Sequence, residues 1–495
     1  MGIIRKQSFF SSIILYIGMA FGFVLILFVY PKYLSPEEIG LVRVIIDIAA
    51  LLSPYILLGV PNTYVRYFPY FLDDKTKLAV FRFYSILIPS ISTLIFLGIY
   101  KLCEGFLIAS FKAQSELLIE FLDFIPILIF IMGGNQILRA FYRSELDIVT
   151  PNFYESILLR IFFGAAVLSY YYFQLEVEWL VYFFLTAHAA IFILMIIGFV
   201  VDGNFKIAFN RSLTKIEVNQ IIVFGLFVTA NTLTGAVILR LDTWMLSSLS
   251  GLAATGIYSV AMQMGTVIDL PKRSFSQITT PVISQSFKDN DWKQIKEIYH
   301  KTSLNQLLIG GFIFIVVWSN AHDLFSLIPN GEEYAAGIWV LLYIGLSKLF
   351  SIATGSTMEI LQVSKYYRHT IWISLSLVFS AILLNLWLIP IYGITGAAIA
   401  SAVAQLLHNL ILLFFVWWKL KMQPFNIQNL YGLLFLGALM SIFYLFVFNL
   451  NPIVNVAIRS MIAALIMALG ILFLPISEDL RQMLKMVLKR VNIRL

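Results

Sequence analysis

Long apolar runs, separated by short polar connections, dominate the whole chain. A helix needs about 20 consecutive, mainly apolar residues to cross the hydrocarbon core of a bilayer. Because a spanning helix satisfies its own backbone hydrogen bonds, the recurring runs predict an all-α polytopic membrane protein. We predict about fourteen transmembrane helices, at 12–31, 42–61, 83–100, 117–138, 153–173, 178–201, 218–240, 256–281, 303–320, 336–358, 369–390, 393–418, 430–449 and 453–474.

The composition supports this prediction and excludes several classes of site. Hydrophobic residues make up 60% of the chain and charged residues only 12%, whereas a soluble domain carries about 25% charged residues. Cys103 is the only cysteine, so no intrachain disulfide can form. The five histidines are scattered without ligand spacing, which argues against a metal site. We therefore expect no metal, no cofactor and no nucleic-acid partner.

The distribution of Lys and Arg predicts the orientation in the membrane. With the N-terminus inside, the inside connections and termini carry 24 basic residues and the outside connections only 3. Positive charge concentrates in cytoplasmic loops. We expect a multi-pass protein of the inner or plasma membrane with both termini in the cytoplasm.

A shift of 216 residues superimposes the first six spans on spans seven to twelve. It places Gly40 on Gly256 and Asp73 on Asp289. An even number of spans gives both halves the same orientation, as in transporters built from parallel repeats. The predicted organisation is an N-lobe at 1–205, a cytoplasmic linker at 206–217, a C-lobe at 218–424, a terminal helix pair at 425–475 and an amphipathic cytoplasmic tail at 476–495.

The tail separates apolar from basic residues on a predicted helix. Leu480, Met483 and Leu484 fall on one face, with Val487 and Val491, and basic residues fall on another. Such a helix suits the surface of an anionic leaflet. We expect it to contact anionic membrane lipids; a solvated basic tail is the alternative.

Charged residues within or beside the spans are the candidate functional residues, because an ionisable group at bilayer depth usually faces protein or water. Six cations stand against three acids in this set. Lys348 has no acid within four residues and is the first candidate for a cavity residue; Arg160 is the second, although snorkelling is open to it. The cations are Arg43, Arg160, Arg240, Lys272, Arg273 and Lys348, and the acids are Asp47, Asp242 and Asp269.

Spacing separates pairs from isolated charges. Arg43 and Asp47 are four residues apart and can neutralise one another on a helix, as Asp269 can with Lys272 or Arg273. Arg240 and Asp242 are two apart and point to different faces, so each needs another partner. For them, a structural role at the membrane rim and a gate or substrate contact are equally open.

The excess of positive charge suits an anion, for example a phosphate or pyrophosphate that carries a sugar on a lipid. Three segments then resemble a known family. "YPKYLSPEEIGLVRVIIDIAALLSPYILLGVPNTYVRYFP" and "LDTWMLSSLSGLAATGIYSVAMQMGTVIDLPKRSFSQITTPVISQSFKDND" are similar to the first and second lobes of polysaccharide exporters and Wzx-type oligosaccharide-lipid flippases. "YGITGAAIASAVAQ" resembles their twelfth helix.

The resemblance implies membership of the multidrug, oligosaccharidyl-lipid and polysaccharide exporter superfamily. Its members have two six-helix lobes in a V-shaped arrangement like that of MATE exporters, here with a terminal helix pair. By this resemblance the chain is a transporter and not an enzyme, without catalytic residues. It would flip an undecaprenyl-pyrophosphate-linked oligosaccharide from the cytoplasmic to the outer leaflet by alternating access, for surface polysaccharide such as the O-antigen of lipopolysaccharide.

The resemblance also implies roles for the charged residues. Lys348, Arg160, Lys272, Arg273 and Arg240 would engage head groups, whereas Asp47, Asp242, Asp269 and Arg43 would serve gating or coupling to H⁺ or Na⁺. The implied partners are the lipid-linked oligosaccharide and the polysaccharide polymerase and chain-length machinery.

Two other functions remain open. A multidrug exporter of the same superfamily would favour buried acids for cationic drugs, which the excess of cations opposes. A membrane-embedded polymerase or glycosyltransferase usually needs a sizeable outer loop or an acidic catalytic pair. The predicted outer connections are short, and the "DND" at 289–291 lies on the predicted cytoplasmic side among lysines.

Overall fold

A computed structural model describes residues 2–203, 207–209, 215–445 and 450–490. All regular secondary structure in these ranges is helical, so the predicted all-α class is confirmed. The chain forms two compact units, Met1–Gly256 and Ile257–Leu495. The 215–250 segment is thus grouped with the first unit, although the repeat places it in the C-lobe; the lobe boundaries stay a prediction.

Two helices of the first unit begin at side-chain caps, Ser35 and Asp74. Ser35 starts one of them: its hydroxyl accepts from the Glu38 backbone, and the Glu38 carboxylate accepts from the Ser35 backbone at 2.7 Å, which is a capping box. Two helices contain a π-helical turn, at Leu25–Val29 and Tyr154–Leu158. The α-helices are Gly2–Val24, Tyr30–Tyr33, Pro36–Leu57, Val60–Phe71, Lys75–Phe111, Glu116–Ile119, Phe124–Ser144, Val149–Phe153, Leu159–Tyr172, Val177–Val201 and Lys215–Ser250.

The Leu252–Gly265 helix crosses from the first unit into the second. A 3₁₀ turn at Thr266–Asp269 follows it. Farther along, Gly393 (φ +55°) breaks a long helical segment where the predicted spans 369–390 and 393–418 meet. The other helices are Leu270–Lys288, Trp292–Ser319, Ala321–Leu327, Gly331–Tyr334, Gly337–Ala353, Thr357–Val363, His369–Leu420, Ile427–Leu445, Pro452–Phe473 and Glu478–Arg490.

Among the described residues, nine helices are long and apolar enough to cross a bilayer, and the bent pair Gly337–Ala353 and Thr357–Val363 makes a tenth. Every one of the fourteen predicted spans falls on a helical segment, with 446–449 of the thirteenth outside the described residues. The number of crossings therefore stays a prediction. Large apolar side chains cover outer helix faces, with Leu102 and Phe473 exposed by 87% and 72%. Since such faces need lipid, this is a multi-pass membrane protein.

One segment differs from its predicted form. The connection at 62–82 contains most of the Val60–Phe71 helix and the first two turns of Lys75–Phe111. Four of its aromatic residues are buried, namely Tyr64, Phe68, Phe71 and Phe81. Tyr64 stacks on Phe81 with ring centroids 5.1 Å apart, and both belong to the core of the first unit. An apolar-run criterion misses this segment because charged residues interrupt it.

The tail is helical over Glu478–Arg490. Leu480 packs against a core cluster of the second unit that includes Leu308 and Met467, whereas Met483 and Met486 are exposed by 59% and 61%. The side chains of Val487 and Val491, which we assigned to the apolar face, lie outside the described residues.

Candidate functional site

Two guanidinium groups meet one buried carboxylate in the first unit. Asp47, only 1% exposed, accepts from Arg43 Nε at 2.7 Å and from Arg240 Nη1. We call Arg43, Asp47 and Arg240 the Asp47 cluster. A buried carboxylate is stable only when it is paired, and two cations with one anion leave a net positive charge. The arginine side chains are 31% and 29% exposed, so they remain accessible.

The cluster answers the question posed by the spacing of Arg240 and Asp242. The partner of Arg240 is Asp47, on a different helix and 193 residues away. The predicted local pair of Arg43 and Asp47 is present, and Arg240 shares it. Asp242 is partly buried and takes part in an interaction of its own.

Glycines allow the helices that carry the cluster to approach closely. A Cβ on Gly59 would overlap the Gly225 carbonyl, and Gly59 has a left-handed backbone (φ +71°). At the other end of the Pro36–Leu57 helix, a Cβ on Gly40 would overlap the Leu252 carbonyl, and one on Gly256 would overlap the Pro36 carbonyl. Small residues at membrane helix interfaces permit such backbone contact.

The contact at Gly40 and Gly256 is reciprocal. Gly40 lies against the Leu252 carbonyl, and Gly256 lies against the Pro36 carbonyl. Gly40 and Gly256 are 216 residues apart, as are Pro36 and Leu252, and this is the spacing of the predicted repeat. The repeat itself stays a prediction.

Arg160 is satisfied by its own helix. Its Nη1 donates to the Ser156 carbonyl and, at 3.4 Å, to the Glu155 carbonyl, within the π-helical turn. A Cβ on Gly22 would lie 2.6 Å from Arg160 Nε, so the side chain packs on the first helix. Arg160 does not join the Asp47 cluster, and its role in substrate binding stays a prediction.

A second group of charged residues lies in the second unit. Lys272 Nζ donates to Ser351 Oγ at 2.6 Å and to the Ser351 carbonyl at 3.2 Å, at the carboxyl end of the Gly337–Ala353 helix, where a cation is favoured. Lys348 lies within electrostatic reach of Lys272. Among the described residues, no acceptor lies within hydrogen-bond distance of the Lys348 ammonium.

The same group contains an acid that the sequence reading missed. Glu359 is 9% exposed, accepts from the Ser276 hydroxyl and lies within electrostatic reach of Lys272. We assigned it to a loop because the predicted span ended at 358. We call Lys272, Ser276, Lys348, Ser351 and Glu359 the Lys272 cluster.

Arg273 and Asp269 form the predicted pair at 3.5 Å. Arg273 is 61% exposed, unlike the arginines of the Asp47 cluster. Its contact with substrate stays a prediction, and its geometry is that of a surface ion pair.

Ion pairs elsewhere correct the charge balance that we read from the sequence. Glu155, within the fifth predicted span, pairs with Arg139 at 3.0 Å, and Glu359 is a further buried acid. The ratio of six cations to three acids is thus too high, because acids near helix ends were left out of it.

Arg459 is a further buried cation, on the Pro452–Phe473 helix. It is 9% exposed and pairs with Asp323 at 2.7 Å. The acid lies on the Ala321–Leu327 helix, which apolar periodicity did not predict.

Arg82 is a buried cation that sequence reasoning placed in a loop. Its Nε donates to the Tyr64 hydroxyl at 2.9 Å and its Nη2 pairs with Glu145. Burial raises the pKa of Tyr64 to about 12, with Arg82 opposing the rise, so the hydroxyl stays neutral. Two phenylalanines flank Arg82 in the chain. These apolar neighbours were the signal in the sequence that could have indicated its burial.

The buried histidines are bonded to backbone. The Nδ1 atoms of His188 and His408 lie 2.9 and 3.2 Å from the carbonyls of Phe184 and Ile373, which supports a structural role. Within the described part of the chain, no group of three or more His, Cys, Asp or Glu side chains could hold a metal ion.

Family models match most of the sequence. The family described as "Polysaccharide biosynthesis protein" matches residues 4–287, more than half of the chain. The chain belongs to the polysaccharide biosynthesis protein family. The MatE family model matches 228–391, and the resemblance to the exporter superfamily that we stated from the sequence is confirmed.

Two curated relatives align with this member of the polysaccharide biosynthesis protein family over only part of their own length. The capsular polysaccharide biosynthesis protein CapF of Staphylococcus aureus is 25% identical over 205 residues, which cover 41% of this chain and 50% of CapF. The probable flippase AglR of Haloferax volcanii is 26% identical over 175 residues, which cover 34% of this chain and 36% of AglR. The chain thus spans half or less of these relatives.

Solved structures share the fold. The lipid II flippase MurJ in an inward closed conformation has a TM-score of 0.70 at 16% identity, covering 98% of this chain and 99% of MurJ. An inward-facing MATE multidrug resistance transporter of the MOP superfamily has a TM-score of 0.61 at 15% identity, covering 85% and 94%. The family member therefore has the predicted MATE-like helical fold.

Proposed function

We propose that this protein flips a lipid-(pyro)phosphate-linked oligosaccharide, with undecaprenyl pyrophosphate as carrier, from the cytoplasmic to the outer leaflet for surface polysaccharide assembly. It works as a transporter by alternating access and catalyses no covalent reaction. The name of CapF concerns capsular polysaccharide, and the names of AglR and MurJ concern flipping. These names support the proposal together with the family match.

The Asp47 cluster is the observation that carries the proposal. Arg43 and Arg240 share one carboxylate, which fixes both guanidiniums while leaving other N–H donors and one net positive charge. Guanidinium groups bind phosphate oxygens through paired, charge-assisted hydrogen bonds. We infer that the pyrophosphate of the lipid carrier binds here.

The Lys272 cluster provides a second place for anionic groups. Two ammonium groups within electrostatic reach of one another repel unless an anion or an acid lies between them. Lys348 and Lys272 therefore keep their predicted roles in head-group binding under this proposal.

The proposal extends to orientation, partners and energy source. The excess of basic residues in the inside connections supports an inner or plasma membrane protein with cytoplasmic termini. The exposed methionines of the Glu478–Arg490 helix suit contact with anionic lipids. Coupling to H⁺ or Na⁺, without another cofactor, and transfer of the glycan to a polymerase and its chain-length machinery complete the proposal.

A cation-coupled multidrug exporter is the second candidate, because the MatE model matches 228–391. Such an exporter would bind cationic drugs through acids accessible to them. Asp47 does not suit that role, since both of its oxygens are bonded to arginine.

The test compares Arg240→Ala with Arg143→Ala in proteoliposomes that contain a fluorescent undecaprenyl-pyrophosphate-linked oligosaccharide. In Arg240→Ala, Asp47 still pairs with Arg43, so the variant should fold. Losing hydrogen bonds from a charged group should slow flipping by about tenfold to a hundredfold. Arg143 is exposed, and its removal should leave the rate unchanged. Equal rates for wild type and Arg240→Ala would refute the proposed site.

A further inference from the structure

An apolar cavity lies among four helices of the first unit, and the proposed function does not use it. Its volume is about 160 Å³. The helices that line it are Pro36–Leu57, Lys75–Phe111, Phe124–Ser144 and Val177–Val201. Each of these helices is long and apolar enough to cross a bilayer, so the cavity lies at membrane depth. We call it the Gly134 cavity.

The lining of the Gly134 cavity is almost entirely hydrocarbon. No charged side chain is among the described residues that line it. Its side-chain hydroxyls are those of Ser90 and Thr93, which donate to the Ile86 and Pro89 carbonyls of their own helix at 2.8 and 2.7 Å. An apolar cavity without free hydrogen-bonding groups stays dry and binds apolar molecules. The lining therefore suits a hydrocarbon ligand and not an anion or a sugar.

Two successive glycines of the Phe124–Ser144 helix shape the cavity. A Cβ on Gly134 would overlap the Phe192 ring, and one on Gly133 would lie 2.8 Å from the Ile56 side chain. Phe192 also contacts Phe130, with ring centroids 6.0 Å apart and the rings nearly perpendicular. Glycine at these positions lets the neighbouring side chains pack on the helix backbone, and the cavity lies beside this contact.

The cavity opens towards lipid at Phe130. This side chain lines the cavity and is 44% exposed. Ile127, one turn away on the same helix, and Ile193, next to Phe192, are also exposed. Large apolar side chains at such positions need lipid around them. The molecule that meets the opening is therefore the hydrocarbon chain of a membrane lipid.

The extent of the lining matches one leaflet of a bilayer. Phe130 and Phe141 are eleven residues apart in the lining, which is about 16 Å along a helix and about half of a hydrocarbon core of roughly 30 Å. Leu57 and Phe141 lie at or near helix ends that the basic residues predict to be cytoplasmic. Because a cavity of about 150 Å³ holds benzene, this one has room for about six carbons of a chain from the inner leaflet.

The position of the cavity favours a phospholipid over the lipid carrier of the glycan. Ile56, in the lining, follows Asp47 by nine residues on the Pro36–Leu57 helix. This spacing is about two and a half turns, so the two side chains point to opposite faces of the helix. A carrier with its pyrophosphate at Asp47 would have to pass around the helix to fill the cavity, whereas a phospholipid enters directly from the bilayer.

We propose that the Gly134 cavity binds the end of one acyl chain of an inner-leaflet phospholipid, with Phe130 at the entrance. The chain supplies the packing contacts that an empty cavity forfeits, and so completes the packing among the four helices. The site takes a different chemical class of ligand from the Asp47 cluster, and its occupation does not depend on the flipping of a glycan.

The test reconstitutes the full chain in nanodiscs of a phospholipid that carries a photoreactive diazirine near the end of an acyl chain. Mass spectrometry after illumination identifies the labelled residues. Lipid around the protein labels exposed positions such as Leu94, which is 69% exposed. Leu138 and Thr93 line the cavity and are buried, so only a chain inside the cavity reaches them. We expect label on all three residues.

Two matched variants separate the cavity from the lipid-facing surface. Ser90→Phe places a ring inside the cavity and should lose the label on Leu138 while keeping it on Leu94. Ser110→Phe makes the same change on the same helix outside the cavity. The Ser110 hydroxyl also donates to the carbonyl four residues earlier, at 2.8 Å, so the two variants lose the same kind of bond. Ser110→Phe should be labelled like the wild type.

Absence of label from Leu138 in the wild type, or equal labelling of Leu138 in the wild type and Ser90→Phe, would overturn the proposal. Loss of the label on addition of excess undecaprenyl phosphate would show that the carrier occupies the cavity, and would overturn it as well. Should Ser90→Phe fail to fold, the wild-type label and its resistance to undecaprenyl phosphate decide. Labelling requires no flipping, so failure of the proposed function would leave this result unchanged.

Discussion

The Asp47 cluster and the Lys272 cluster place buried acids in contrasting surroundings. Asp47 is held by Arg43 and Arg240, one on each oxygen. Glu359 has one hydroxyl donor and a lysine at longer range. The first arrangement fixes a negative charge and positions two guanidiniums around it, whereas the second leaves one oxygen of Glu359 without a hydrogen bond among the described residues. A buried acid can thus be held by two charged partners or by a single hydroxyl.

The largest effect should come from Asp47→Asn, which removes the shared charge but keeps the shape. Two guanidiniums would then face one another without an anion. Breaking a buried ion pair by removing one partner costs about 3 kcal/mol or more. We expect a lower unfolding temperature in detergent and loss of flipping, while Glu359→Gln unfolds near the wild-type temperature. Equal stability of Asp47→Asn and wild type would remove the contrast between the clusters.

Lys348→Ala should have the next largest effect, on transport alone. The Lys348 ammonium has no acceptor among the described residues, so its removal breaks no bond of the fold. We expect normal membrane insertion and a loss of glycan flipping of about tenfold or more, as for one charge-assisted contact. Lys365, an exposed lysine of the same unit, provides the control. Wild-type flipping by Lys348→Ala would exclude Lys348 from the site.

The smallest effect should come from Arg273→Ala. Its pair with Asp269 is exposed on the arginine side, and exposed pairs contribute less than about 1 kcal/mol. We expect stability and flipping close to wild type when both are measured beside Arg240→Ala. A flipping defect as large as that of Arg240→Ala would show that exposure is a poor guide to the binding residues, and would restore the role that the sequence suggested.

Apolar runs predicted where helices form, because lipid and protein interiors both exclude long polar stretches. Each predicted span overlaps helices of the described residues, and the break at Gly393 falls between two of the spans. The partner of Arg240 could not be predicted, since 193 residues separate it from Asp47 and only packing brings them together. Glu359 was missed for another reason: the small polar residues around Gly355 resemble the end of a span, while the helix bends and continues.

The central claim is that the guanidiniums around Asp47 bind the pyrophosphate of a lipid-linked glycan. Its most direct test is an electron cryomicroscopy structure of the full chain in nanodiscs with an undecaprenyl-pyrophosphate-linked oligosaccharide. We predict density for the phosphates within hydrogen-bond distance of Arg43 and Arg240. Well-defined phosphate density elsewhere, with neither arginine in contact, would contradict the account.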